Sequence, residues 1–374
     1  DGGPYASIVK ILEYTDKIDY LVISHTQPDE SRVDFTGEKT YPSLARKLGL
    51  IEDDRQVIEL WDNHHRNHAA CAFYRSGFDT ANVIIVDGAG TFIPRQDHET
   101  MWEVESIYEA SYPCTFKEIY KHYGGRGPWI TEHYEDEKGC EVLINDRPGI
   151  VKAYEAVTQY CGWAPIEAGK TMGLAPYGQY DPNIPPLFVQ DRGNKNVLRP
   201  HYPAKAIIDE FRFPYLVRHG NIQEWHNNET MVDQKYKNLA WHVQQETQQL
   251  VAKLIQKAHD DTGETNIVLG GGYALNCVAN YFYKKQFPNL NIYVDPLAHD
   301  GGSALGLALL AWHAKSQSTT PKKMKNVYLS APPDYDDLDD IMSQMKDLSI
   351  KDTTPDDVAQ LLVDGNIVAL FQGS

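Results

Sequence analysis

The sequence predicts an α/β protein whose sheets are covered by helices, and three observations carry that expectation. Short apolar runs at Tyr20–Ser24, Val57–Leu60, Val83–Val86, Asn266–Leu269 and Asn291–Val294 alternate with longer segments of helical periodicity. Several of these runs lead directly into a glycine-rich or acidic turn, where α/β proteins meet ligands. The pattern occurs in two similar halves, roughly before and after residue 150. Each half presents an acidic strand-end loop, Asp87 in the first and Asp300 in the second, outlining a two-lobed cleft.

Taken in order, Ser7 to Asp16 reads as a helix with Ile8, Ile11 and Leu12 on one face, followed by the Tyr20–Ser24 strand and a polar loop. The Val57–Leu60 strand delivers the chain into Asp62-Asn63-His64-His65-Arg66-Asn67-His68-Ala69-Ala70-Cys71-Ala72, a helix for which Asp62 or Asn63 is a good N-cap. The run Val83–Val86 ends in Asp87-Gly88-Ala89-Gly90, a turn that suits phosphate or metal and equally a plain hairpin. Met101 to Ser111 reads as a strand, and Phe116 to Arg147 as an aromatic, charged, loop-rich insertion that shapes a specificity pocket. A helix from Gly149 to Tyr160 leads to Glu167-Ala168-Gly169-Lys170-Thr171-Met172-Gly173-Leu174-Ala175-Pro176-Tyr177-Gly178. Gly169-Lys170-Thr171 is not a Walker motif: position 164 is alanine where that motif has glycine, and Gly173 and Pro176 oppose the helix it requires. The stretch reads as a lysine-bearing loop.

Val232 to His259 forms a long helix with Leu239, Val243, Thr247, Leu250, Val251, Leu254 and Ala258 on one stripe. The Asn266–Leu269 strand then enters Gly270-Gly271-Gly272-Tyr273-Ala274-Leu275-Asn276, where bare backbone N–H groups suit an anion; a tight strand–helix turn is the plainer alternative. After Asn291–Val294, Asp300-Gly301-Gly302-Ser303-Ala304 opens an apolar helix to about Trp312, with N-capping as the ordinary role of Asp300. Lys322 to Asn326 reads as a basic linker. Beyond it come an amphipathic helix through Leu338 and Met345, a helix from Thr354-Pro355, and a strand from Ile367 to Phe371. The aspartates at 334, 336, 337, 339 and 340 lack the glycine and closing glutamate of a calcium loop and read as a solvated face.

Composition narrows the function. The chain has 374 residues, 42% of them apolar and 23% charged, and no run approaches the roughly 18 apolar residues of a membrane span. A net charge of −17 argues against a long phosphate-backbone footprint, so neither nucleic acid nor membrane is the expected partner. Five cysteines, an odd count without CxxC spacing, argue against a disulfide framework or zinc knuckle and fit a reducing, cytoplasmic setting. The opening Asp1-Gly2-Gly3 and the stop at Gly373-Ser374 read as cropped ends.

His64 and His68 are four apart, so on a helix their imidazoles stack on one face and can offer nitrogen lone pairs to one metal ion. The same spacing suits packed core histidines. His65 faces away from that side, in a supporting or packing role.

Four stretches together, in this order and spacing, resemble the NodU/CmcH family of O-carbamoyltransferases: the Asp62–Ala72 segment, Gly169 to Gly178, Gly271 to Asn276, and Asp300 to Gly306. The resemblance covers nearly the whole chain. It implies a duplicated ribonuclease-H-like domain of the actin, heat-shock-protein and sugar-kinase type over residues 1–326, with lobes of about 1–150 and 151–326. The beginning of a YrdC-like domain follows at 327–374. It further implies that carbamoyl-adenylate, made from carbamoyl phosphate and ATP, passes its carbamoyl group to a hydroxyl of a small metabolite such as a sugar or natural-product intermediate. His64, His68, Asp87 and Asp300 would be the ligands of iron(II), with another divalent metal as the alternative and Mg2+ as a companion of ATP. Gly271, Gly272 and Asn276 would lie along the nucleotide, Gly302, Ser303 and Ala304 near its phosphates, and Lys170 on phosphate. The family's catalytic His–Asp pair belongs to a first hairpin upstream of this chain, so no catalytic base is assigned. A homodimer is compatible with the reading. A threonylcarbamoyl transferase acting on tRNA, which the acidic balance disfavours, and a non-catalytic nucleotide-binding module are the alternatives.

Overall fold

The computed structural model describes residues 5–26, 33, 37–94, 100–125, 131–145, 149–184, 186–190, 198–200, 233–321, 323, 338–345, 349 and 351–370. The chain divides into two compact units, residues 1–323 and 324–374. The first unit runs α1 (Tyr5–Lys10), β1 (Leu21–Ser24), α2 (Thr40–Lys47), β2 (Val57–Leu60), α3 (His64–Ser76), β3 (Thr80–Val86), β4 (Phe92–Pro94), β5 (Thr100–Ser111), β6 (Thr115–Gly125), β7 (Thr131–Glu135) and β8 (Glu141–Asn145). It continues with α4 (Ile150–Tyr160), α5 (Ala168–Leu174), β9 (Phe188–Gln190), β10 (Leu198–Pro200), α6 (Gln234–Thr262), β11 (Asn266–Gly270), α7 (Cys277–Gln286), β12 (Asn291–Val294) and α8 (Ser303–Ser316). The second unit contains α9 (Leu338–Gln344) and α10 (Pro355–Val363).

The main sheet has the order β12-β11-β3-β5-β6-β8-β7, with β4 added on β5. Within it, β12, β11 and β3 are parallel, β5 runs antiparallel to β3 and to β6, and the order β6-β5-β3-β11-β12 is that of a ribonuclease-H-like sheet. The sheet draws strands from both sides of residue 150. Outside it, the described residues form two small sheets, the parallel pair β1–β2 and the antiparallel pair β9–β10. The continuous apolar run of β3 follows from its central place, because both faces are covered. Val83 and Ile85 pack with Ala69, Ala72 and Phe73 of α3 and Leu310 of α8, while Ile84 and Val86 join Val157 of α4 and Val243 and Ile255 of α6. The stripe read along α6 is the buried one: Leu239, Val243, Thr247, Leu250, Val251 and Ala258 are all inside.

Three expectations are corrected. The stretch from Phe116 is not a loop-rich insertion: its described parts are strands β6, β7 and β8, which extend the main sheet. Two of its charges misled because they are buried in pairs. Lys121 on β6 forms an ion pair with Glu103 on β5, and His122 lies opposite Glu105 and bonds to it. The Lys170 segment is not a loop but the short helix α5 followed by a 3₁₀ turn over Ala175–Tyr177. Packing overrides the glycines there, with Thr171 buried and bonded to Thr158 of α4 at 2.8 Å, and Pro176 falling in the first turn of the 3₁₀ segment, where its missing N–H costs nothing. Residues 366–370 form no strand, and Ile367 and Leu370 are exposed; Phe371 lies outside the described residues. So do Asp334, Asp336, Asp337 and most of the basic linker, while Asp340 is exposed on α9. Thr354 caps α10 through a reciprocal bond with Asp357.

Candidate metal centre

Residues from three separate elements meet at the C-terminal end of β3. The i, i+4 spacing on α3 brings His64 Nε2 within 3.1 Å of His68 Nε2. Asp87, just past the end of β3, places Oδ2 at 3.3 Å from His64 Nε2 and 3.9 Å from His68 Nε2. Asp300, which opens the Asp300–Gly302 turn three residues before α8 begins, places Oδ1 at 3.6 Å from His64 Nε2 and 3.4 Å from His68 Nε2. The four donor atoms lie within 4.8 Å of one another. Asp300 is free for this because it is not the cap: His299 Nδ1 accepts the Gly301 N–H at 3.0 Å, and the Asp300 carboxylate is turned to the imidazoles. His64, His68 and Asp87 are buried, whereas the Asp300 side chain is 77% exposed and forms the open side of the cluster.

The donor set fits a divalent metal. Two imidazole nitrogens and two carboxylate oxygens suit iron, zinc or another borderline ion. Bonds of about 2.1 Å put adjacent donors roughly 3.0 Å apart in an octahedron and 3.4 Å in a tetrahedron; the separations of 3.1 to 3.9 Å around the histidines span the tetrahedral edge and begin just above the octahedral one. The electrostatics point the same way. Burial opposes charge on His64, but hydrogen bonds to Asp300 and Asp87 outweigh it and raise the imidazole to about 10. Burial likewise opposes ionisation of Asp87, and the bond to His64 with the charge of His68 holds the carboxyl well below its usual range. Hydrogen bonds from His64 and His68 hold Asp300 below its usual range too. Two carboxylates sharing a proton with the imidazoles are a charge arrangement that a cation would fit, displacing that proton on binding.

The glycine turn after β11 is built into the same centre. Gly271 has φ +82°, and a Cβ there would lie 2.4 Å from the carbonyl oxygen of Val86. Only glycine both adopts that conformation and lets the turn lie against the end of β3. The contact brings the Gly272 N–H to Asp87 Oδ1 at 2.8 Å, so the turn fixes one carboxylate of the cluster. Asn276 caps α7 by accepting the Ala279 N–H at 3.1 Å and pairs with Gln244 through bonds of 2.9 and 3.2 Å. Gly302 packs against Leu297, the Ser303 hydroxyl donates to the Asp300 carbonyl, and Ala304 lines a cavity of about 710 Å³ that also reaches Ser24, His25, His64 and Asn67. Lys170 is exposed and ion-paired with Glu167, and Met172 of the same helix touches Cys277 at the start of α7.

His65 turns away from the cluster, fully buried, with Nδ1 at 2.7 Å from the Ser106 hydroxyl. Sequence reasoning missed the layer beneath it, formed by Thr91, Glu103, Ser106 and Lys121. The available signal was the alternation of like charges at Glu103 and Glu105, answered by Lys121 and His122. It is readable only once the two segments are known to pair.

The family described as "Carbamoyltransferase N-terminus" matches residues 29–309 of the chain. The uncharacterized protein sll1178 of Synechocystis is 28% identical over 90% of this chain and 52% of its own length. The nodulation protein NolNO of Sinorhizobium fredii is 26% identical over 76% of this chain and 35% of its own length, and NolO of Bradyrhizobium diazoefficiens is 28% identical over 71% and 41%. The chain thus spans from about a third to about half the length of these relatives. Among solved structures, full-length HypF in its phosphate- and nucleotide-bound form is similar over 78% of this chain and 46% of that one, with 13% identity and a TM-score of 0.42. With the family match extending over most of its length, this chain belongs to the carbamoyltransferase family of the NodU type.

Proposed function

We propose that this chain is the transfer portion of an O-carbamoyltransferase, which moves a carbamoyl group from carbamoyl-adenylate to a hydroxyl of a small metabolite such as a sugar or natural-product intermediate. In this reading residues 1–326 carry the transfer, residues 327–374 begin a YrdC-like domain, and the protein works in the cytoplasm on ATP and carbamoyl phosphate. The observation that supports it best is the bond from Gly272 to Asp87, which joins an anion-suited glycine turn to a four-donor cation site.

His64, His68, Asp87 and Asp300 would hold the metal, iron(II) or another divalent ion. An ion held there would supply Lewis-acid charge next to the adenylate phosphate, the group that leaves as AMP. Asp87 is held in place by the Gly272 N–H, and Asp300 closes the cluster from its exposed side. Gly271 and the close-packed turn at Gly302, Ser303 and Ala304 offer backbone to the nucleotide, and Asn276 keeps the α7 N-terminus in register behind them. Lys170 would reach phosphate by leaving Glu167. The adjoining cavity is within the size range of small-molecule sites.

Two measurements test the reading. Anaerobically purified protein is expected to carry near-stoichiometric metal, and a His64→Ala/His68→Ala variant to lose it; absence of metal from both, after iron is supplied, returns the histidines to a packing role. Full-length protein given ATP, carbamoyl phosphate and a panel of polyols is expected to release AMP with formation of a carbamate ester, and no AMP with any acceptor would sink the proposal.

A further inference from the structure

The four donors stand on segments distant in sequence, and their spacing depends on how α3 is set against the loop after β3. Asn63 occupies the N-cap position of α3 but makes no side-chain cap bond, its amide being turned to Asp62. The first N–H groups of the helix are met from other elements instead. Thr91 Oγ1 accepts from the His64 N–H at 3.3 Å, and Glu103 Oε2 accepts from the His65 N–H at 3.4 Å. The same Glu103 oxygen accepts from the Thr91 N–H at 3.0 Å.

Backbone bonds from Asp87 to Val104, from Gly90 to Glu103 and from Glu103 to Thr91 lay the whole 87–91 loop along β5. One buried carboxylate therefore ties the helix start that carries His64 to the loop that carries Asp87. The rings are not all held from behind: His68 Nδ1 is buried without a hydrogen-bond partner among the described residues. Backbone placement has to supply the precision that ring partners usually give a metal-binding histidine.

The carboxylate can stay charged in the interior because of its neighbours. Burial opposes ionisation, but the charge of Lys121 outweighs it and holds Glu103 well below the usual carboxylate range. Lys121 is locked in turn by the Tyr108 hydroxyl at 2.8 Å and Glu118 at 3.1 Å. A negative group at the start of α3 is also favoured by the helix dipole.

We propose that Glu103, with Lys121 as its counter-ion and Thr91 as the link to His64, is the positioning residue that sets His64 against Asp87 for metal binding. The inference rests on the reading of the cluster as a metal site. Glu103 does not touch the ion. It acts through the backbone of two ligand-bearing segments.

The test uses Co2+ as the probe, titrated anaerobically into chelator-stripped protein and followed by its visible absorption, with thermal melts in EDTA as an independent measure of folding. Two variants are compared with wild type. Thr91→Val removes the oxygen that receives the His64 N–H while keeping the shape of the side chain. Glu103→Gln/Lys121→Met removes the charged cap and its counter-ion together, leaving no unpaired buried charge. The expected result is a Co2+ Kd raised by roughly 10–100-fold in the double variant, a smaller rise in Thr91→Val, and an altered visible spectrum in both. Wild-type Kd and spectrum in the folded variants overturn the inference alone; if the double variant does not fold, Thr91→Val decides by the same criterion. A wild-type protein that takes up no Co2+ overturns the metal reading and this inference with it.

Discussion

Gly306 lies where α8 crosses α3. A Cβ added there would fall 1.9 Å from the Asn67 carbonyl oxygen and 2.7 Å from the Cys71 nitrogen. Both are backbone atoms of α3, so neither can rotate out of the way. Restoring an ordinary contact near 3.4 Å requires the two helices to part by about 1.5 Å at this point. Such overpacking costs roughly 1–3 kcal/mol or more, against a gain of up to about 1 kcal/mol for alanine over glycine in a helix. Gly306→Ala is therefore expected to lose about 1–2 kcal/mol, which lowers Tm by about 2–3 °C in a unit of this size. The shift also reaches the cluster. Asp300 precedes α8 and lies 3.4 and 3.6 Å from the two imidazoles; moved by about 1.5 Å, its oxygen would stand near 5 Å, beyond the roughly 4.2 Å that two 2.1 Å bonds can span. Thermal melts in EDTA and Co2+ titration read the two effects separately. Gly173→Ala in α5, where a Cβ meets nothing within 4 Å, is the control and is expected to gain up to about 1 kcal/mol. A Gly306→Ala protein that melts at or above wild type and binds Co2+ normally would refute the close α3–α8 crossing as the device that holds Asp300 in place.

Other expectations follow from the same geometry. Burial, with Lys121 nearby, pushes His65 down to about 3, so its contribution to stability is complete above the unfolded value near 6.5 and is lost as pH falls towards 3. Between pH 6.5 and about 4.5, the unfolding free energy from urea titrations in EDTA should fall with a slope of up to about 1.4 kcal/mol per pH unit, and His65→Asn should flatten that slope; an unchanged slope would count against a buried neutral imidazole. In the same metal-free protein the raised pKa of His64 works oppositely: its stabilisation is complete below about 6.5 and is lost as pH rises towards 10. Gly271→Ala must place an L residue at φ +82° against the Val86 carbonyl and should lose more than about 2 kcal/mol by urea denaturation; a wild-type midpoint would refute the tight turn. Lys170→Ala removes one exposed ion pair and should alter stability by no more than about 0.5 kcal/mol, while weakening AMP binding measured by calorimetry; unchanged AMP affinity would remove Lys170 from the nucleotide site.

Elements whose cause is local were legible in the chain before any contact was known. The strands β3 and β11 were visible as continuous apolar runs because both their faces are covered, and α6 because its stripe repeats at the helical period. His64 and His68 could be paired from their spacing alone, since four residues is one helical turn, and Asp87 could be placed at a strand end. That Asp300 joins them was decided in three dimensions, by His299 taking over the cap and by Gly306 letting α8 lie directly on α3. Tertiary structure alone also decided that the charged stretch after Phe116 is sheet, because Lys121 and His122 look like solvent-facing charges until β5 supplies Glu103 and Glu105. It made a helix of the Lys170 segment through the contact of Thr171 with Thr158, and left the run from Ile367 without a partner strand among the described residues. Periodicity is written within a few residues of chain, whereas charge compensation and close helix crossing depend on which distant segments pair and in what register.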